Sequence, residues 1–96
     1  MSPLKKKKLN KIRFQLDKLD NSLIRLIKNR TSLVKEVLKL KEFKKEIVDQ
    51  KRINFILNKI KGKSKKLKID PKITNRIWKN MIWSYIDYER RNFKKK

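Results

Sequence analysis

The chain contains no cysteine, no histidine and no alanine, and among its 96 residues there is one glycine and two prolines. Without cysteine there is neither a disulfide framework nor a thiolate metal site, and without histidine the commonest metal ligand and general base is missing as well. Metalloenzyme and triad chemistry are therefore disfavoured, and neither a metal nor a cofactor is expected. Acidic residues are scarce too, nine against 31 cations, for a formal charge of +22. No apolar stretch approaches the length of a membrane span, and none follows Lys5 to Lys8 in the manner of a signal peptide. A soluble cytoplasmic protein is the expectation.

What is present suits one small domain. With 38% hydrophobic residues in 96, a lone core is marginal unless a partner chain extends it, so oligomerisation is expected. A charge of +22 ordinarily points to nucleic acid or an anionic membrane surface. Here 24 of the 31 cations are lysine and only seven arginine, and isoleucine and asparagine abound where alanine is absent. That composition matches AT-rich codon bias acting on exposed positions, which weakens the nucleic-acid reading.

From Leu9 to Lys41 there is no proline or glycine. Ile12, Leu16, Leu19, Leu23, Leu26, Leu33, Val37 and Leu40 recur at three- and four-residue steps, predicting one long helix of about 50 Å. Ile24, Ile27, Val34 and Leu38 widen its apolar face beyond a two-stranded seam, so a bundle fits better than a coiled coil. Glu42 to Val48 reads as a connection. A second helix is expected from Asp49, carrying Ile53, Ile56, Leu57 and Ile60 and stopped by Gly62. A solvated linker follows to Leu67. Asp70 and Pro71 announce a third helix, whose apolar side runs through Ile73, Ile77, Trp78, Met81, Ile82, Tyr85 and Ile86 to Glu89. Trp78 is expected in the core and Trp83 in the core or an interface. The fold class is all-α with three helices per chain, the domain spanning 9–93 and the lysine-rich ends 1–8 and 94–96 frayed.

Four cations, Arg13, Arg30, Lys41 and Arg52, fall where a three-helix protein wants apolar or neutral residues. A buried cation without a partner is costly, so their placement predicts a bound anion. Arg30 fills the one missing slot of the long seam. Residues 30 and 41 lie three turns apart on nearly one face, about 16 Å along the axis, so two long side chains can converge on a small ligand. Residues 13 and 41 are about 42 Å apart on a straight helix, too far to share it. Arg13 joins only from another protomer, as it does when two antiparallel long helices meet about a two-fold axis near Ile24. Asp49 and Arg52, at i and i+3, share a face with Ile53 and Ile56, a spacing equally compatible with a surface ion pair. Glu89 is a solvated acid or, by its phase with Trp78, Ile82 and Tyr85, part of the apolar side.

The order and spacing of Ile12-Arg13, Leu19-Asp20, Leu23-Ile24, Asn29-Arg30, Val34-Lys35-Glu36-Val37, Lys41 and Asp49-Gln50-Lys51-Arg52, with the segment from Ile77 to Glu89, resemble the AroQ-type chorismate mutases over roughly Leu9 to Phe93. The resemblance implies an intertwined all-helical homodimer with two sites that rearrange chorismate to prephenate without a cofactor. By position, Arg13 of the partner subunit and Arg30 hold substrate carboxylates, with Arg52 a further cation. Lys41 donates to the ether oxygen as its bond breaks. Asp49 orders the second helix, and Glu89 falls where the family has Gln or Glu, also contacting the ether oxygen. To donate there Glu89 must be protonated, so activity is expected to rise toward mildly acidic pH.

Two positions depart from the family. Ile53 stands where a Glu usually binds the ring hydroxyl, and Tyr85 stands where a Ser often assists near a carboxylate, with Ser84 one residue earlier. The first removes a polar contact to substrate. An isochorismate pyruvate-lyase of the same fold is the nearest rival enzyme. A basic helical nucleic-acid-binding protein and a degenerate dimer without turnover are the others. The nucleic-acid reading is disfavoured because the cations are spread around the helices and Arg30 interrupts a core seam.

Overall fold

A computed structural model of the chain describes residues 1–94. Three α-helices, α1 (Pro3–Leu40), α2 (Gln50–Lys66) and α3 (Pro71–Asn92), are joined by a short 3₁₀ turn (Lys44–Glu46) and a tight α2–α3 connection, and the described residues contain no strand. The expected all-α class with three helices is what the chain adopts. It divides into two compact units, 1–33 and 34–96, and α1 contributes to both.

The first unit is helical from Pro3, six residues before the apolar seam begins. Ser2 and Pro3 explain the early start: the Ser2 hydroxyl and carbonyl accept from the backbone N–H groups of Lys5 and Lys6, and proline suits the first helical turn. The expected frayed end at 1–8 is therefore helix from residue 3. Of the expected lysine-rich tail 94–96, Lys95 and Lys96 lie outside the described residues. The seam residues Ile12, Leu16, Leu19, Leu23, Leu26 and Leu33 are all exposed, and no residue of α1 is buried.

The second unit holds the core, which consists of Ile47, Ile53, Ile82 and Ile86 with Val48, Ile56, Leu57 and Phe93 packed against them. Fully burying an isoleucine side chain contributes about 1.5–3 kcal/mol, so four supply only a modest driving force. Asp49 starts α2 by accepting from the Arg52 backbone N–H at 3.0 Å, and Asp70 starts α3 by accepting from that of Lys72 at 2.9 Å. The connection between α2 and α3 is short, which makes the helices a hairpin with facing apolar sides.

Gly62 does not stop α2. The helix continues one more turn to Lys66, because no side chain is needed at position 62 and the next residues find partners. The buried Ser64 hydroxyl lies 2.7 Å from both the Ile60 carbonyl and the Thr74 hydroxyl, bridging the two helices. Termination comes at Lys68, whose φ of 58° is left-handed, with Lys68 N–H donating to Lys65 and Ile69 N–H to Ser64. These are the two bonds of a Schellman motif, built on lysine where glycine is usual.

Candidate functional site

The centre of the candidate site is an ion pair. Lys41 follows the last residue of α1, and Glu89 lies in the last turns of α3, on the face that also carries Ile82 and Ile86. Lys41 Nζ donates to Glu89 Oε1 at 2.9 Å, with side-chain exposures of 18% and 6%. The helical phase that assigns Glu89 to the apolar side thus holds, and the solvated-acid alternative does not. A carboxylate this enclosed is stable only with a charged or hydrogen-bonding partner, and the chain supplies one from 48 residues away. The ammonium carries three donors, so one bond to Glu89 leaves two for a ligand oxygen.

The remaining candidate residues differ in placement. Arg52 is exposed on the first turn of α2, its guanidinium 5.3 Å from the centroid of the Phe55 ring. Asp49, also exposed, reaches the backbone of Arg52 and serves as the helix cap, so the suggested surface ion pair is replaced by a capping bond. Ile53 is 7% exposed and belongs to the core with Ile47, Ile82 and Ile86, which accounts for an apolar side chain there. Tyr85, one turn before Glu89 on α3, is half-buried. In the first unit Arg30 is half-buried and Arg13 exposed, seventeen residues apart on one helix and so about 26 Å along its axis.

None of the four cations is buried within the single chain, contrary to the expectation that placed them at core positions. For Arg13 and Arg30 the physical reason is visible in α1, whose seam of large apolar residues is itself exposed, while Arg52 lies on the exposed first turn of α2. Trp78 is half-buried rather than fully enclosed, and Trp83 is 46% exposed. Ile47, 3% exposed just before the Asp49 cap, is a core anchor that periodicity misses because it stands alone in the connection. Its only sequence signal is an isoleucine beside Val48 within a charged stretch.

Next to the ion pair in sequence, Lys39 and Tyr88 line an open groove of about 310 Å³ together with Lys35, Leu38 and Phe93. Residues 88 and 89 point about 100° apart on a helix, so this groove is distinct from the enclosure around Glu89. The chemistry available at Lys41 and Glu89 is hydrogen bonding to, and charge stabilisation of, an oxygen atom. Among the described residues no cluster of three or more carboxylate ligands suited to a metal occurs, and no helix is long and apolar enough to cross a membrane.

The family model described as chorismate mutase type II matches residues 12–90, a stretch containing all eight candidate residues from Arg13 to Glu89. No curated protein and no solved structure matches the chain.

Proposed function

Because the chain belongs to the type II chorismate mutase family, we propose that it rearranges chorismate to prephenate in phenylalanine and tyrosine biosynthesis, acting in the cytoplasm as an intertwined homodimer. The observation that carries this reading is the Lys41–Glu89 pair, a polar centre made by two residues 48 apart and enclosed beside an apolar core.

The rearrangement is intramolecular and needs no proton transfer, nucleophile or cofactor. Two tasks remain for the protein: holding the dicarboxylate in its compact conformer, and stabilising the charge that develops on the ether oxygen. Arg30, Arg52 and Arg13 of the partner subunit suit the first, since a planar guanidinium binds carboxylate in two places. Lys41 suits the second as a compact charge, held in place by Glu89 while its other donors face the ether oxygen. Glu89 in its protonated form adds a second donor. Asp49 keeps the start of α2, and with it Arg52, in register.

With Ile53 in the core, the ring hydroxyl has no carboxylate partner from that position, and Tyr85 is the polar side chain on the adjoining face of α3. The exposed seam of α1 supports the dimer: a second long helix laid antiparallel covers Ile12 to Leu33 and carries Arg13 of the partner subunit toward the site. The direct experiment is incubation of the purified protein with chorismate and identification of the product. Prephenate is the expected result. Absence of turnover overturns the reading, and pyruvate release from isochorismate alone points to the lyase.

A further inference from the structure

A dense run of cations that the proposed reaction does not use lies where α2 turns into α3. Six of the ten residues from 59 to 68 are lysine, Lys72 follows in the first turn of α3, and all seven are exposed. From Gln50 to Ile86 the only carboxylate is that of Asp70, which is committed to capping α3. Lysines in the last turn of α2 are favoured by the helix macrodipole, which accounts for Lys63, Lys65 and Lys66. It does not account for Lys59 or Lys61, and it opposes Lys72, which sits at the positive end of α3.

Two other features give this surface a chemistry. Leu57 and Pro71 line a groove of about 260 Å³ together with Lys61, Lys72 and Asn75, so apolar surface and two lysines meet in one groove. Beside it in the connection, Leu67 is 70% and Ile69 39% exposed. Between them Lys68 takes the left-handed conformation in which glycine is the usual residue, keeping its charge at the turn despite a conformational cost.

The apolar surface of the groove separates the candidate ligands. Residues 59 to 72 include no arginine for bidentate phosphate binding and no aromatic ring for base stacking. A bilayer presents a broad surface, and a phosphate backbone has nothing to place in an apolar groove. A protein segment that carries an apolar side chain between carboxylates complements both the apolar surface and the lysines. We propose that the lysine-rich end of the α2–α3 hairpin docks an acidic, apolar-bearing segment of a partner protein. Lys72 precedes Glu89 by seventeen residues on α3, about 26 Å, so docking leaves the Lys41–Glu89 site open and stands independently of the proposed activity.

The test compares two triple variants of the whole chain with equal loss of charge, Lys61→Gln/Lys65→Gln/Lys72→Gln at the hairpin and Lys6→Gln/Lys7→Gln/Lys8→Gln at the start of α1. The probe is a short fluorescein-labelled peptide with glutamates on both sides of a leucine pair, followed by anisotropy. Circular dichroism confirms that both variants keep native helicity, and chorismate turnover is followed separately. The hairpin variant is expected to weaken peptide binding by at least roughly tenfold and the control by less than about twofold, with native binding falling as salt rises. Equal weakening in both variants, no binding by the native chain, or tighter binding to short duplex DNA or phosphatidylserine vesicles than to the peptide overturns the proposal.

Discussion

At the candidate site Lys41 places its ammonium 2.9 Å from the enclosed carboxyl group of Glu89. If Lys41 stabilises the breaking ether bond, Lys41→Ala lowers kcat by about 10²–10³, a loss of roughly 3–4 kcal/mol of transition-state stabilisation, read on the fraction that circular dichroism shows folded, because the substitution also leaves the enclosed Glu89 carboxyl without its partner. Near-native turnover removes that role. If Glu89 serves the ether oxygen as a hydrogen-bond donor, Glu89→Gln, which keeps a donor at that position without the carboxylate, is expected to retain turnover within about threefold of native. A kcat for Glu89→Gln as low as that of Lys41→Ala takes donation by Glu89 out of the mechanism. Both residues were legible in the sequence, Lys41 as a cation three turns from Arg30 and Glu89 from its phase on α3. Their direct pairing was not, because 48 intervening residues carry no signal of it. At Ile53 the sequence resemblance implies a lost polar contact, while the fold shows a core side chain 7% exposed among three other isoleucines.

At the scale of elements, the helix starts follow one local rule. Ser2-Pro3 and Asp70-Pro71 both pair a capping side chain with a first-turn proline, yet only the second adjoins an apolar pattern, so the first was masked by Lys5 to Lys8. The end of α2 obeys a different logic. Glycine reads as a stop, but at position 62 the helix passes through it and a lysine at 68 supplies the left-handed turn instead. A side-chain carbon built onto Gly62 meets nothing within 4 Å. Gly62→Ala is therefore expected to stabilise the protein by about 0.5–1 kcal/mol, and Lys68→Gly by about 1 kcal/mol, read as shifts in urea midpoint at fixed protein concentration. A lowered midpoint for Gly62→Ala contradicts a simple helix interior at that position.

At the scale of the whole molecule, the single chain leaves an imbalance between a small core and a long exposed apolar seam, and the proposed dimer rests on it. The core of the second unit rests on four buried isoleucines, while six seam residues of the first unit, from Ile12 to Leu33, are exposed at half or more of their surface. Periodicity reports which side chains share a face and not what covers them, so such a seam reads as core from the sequence. Sites shared between two chains are what the proposed dimer predicts. If each site takes Arg13 from one chain and Lys41 from the other, Arg13→Ala and Lys41→Ala each remove every site of a homodimer, but a mixed dimer of the two variants assembles one site with both residues intact and one with neither. The measurement that tests this most directly is prephenate formation after the two inactive variants are unfolded together in equal amounts and refolded. Random pairing predicts recovery of about a quarter of native activity. Activity no greater than the mean of the two variants refolded separately contradicts a site built from two chains.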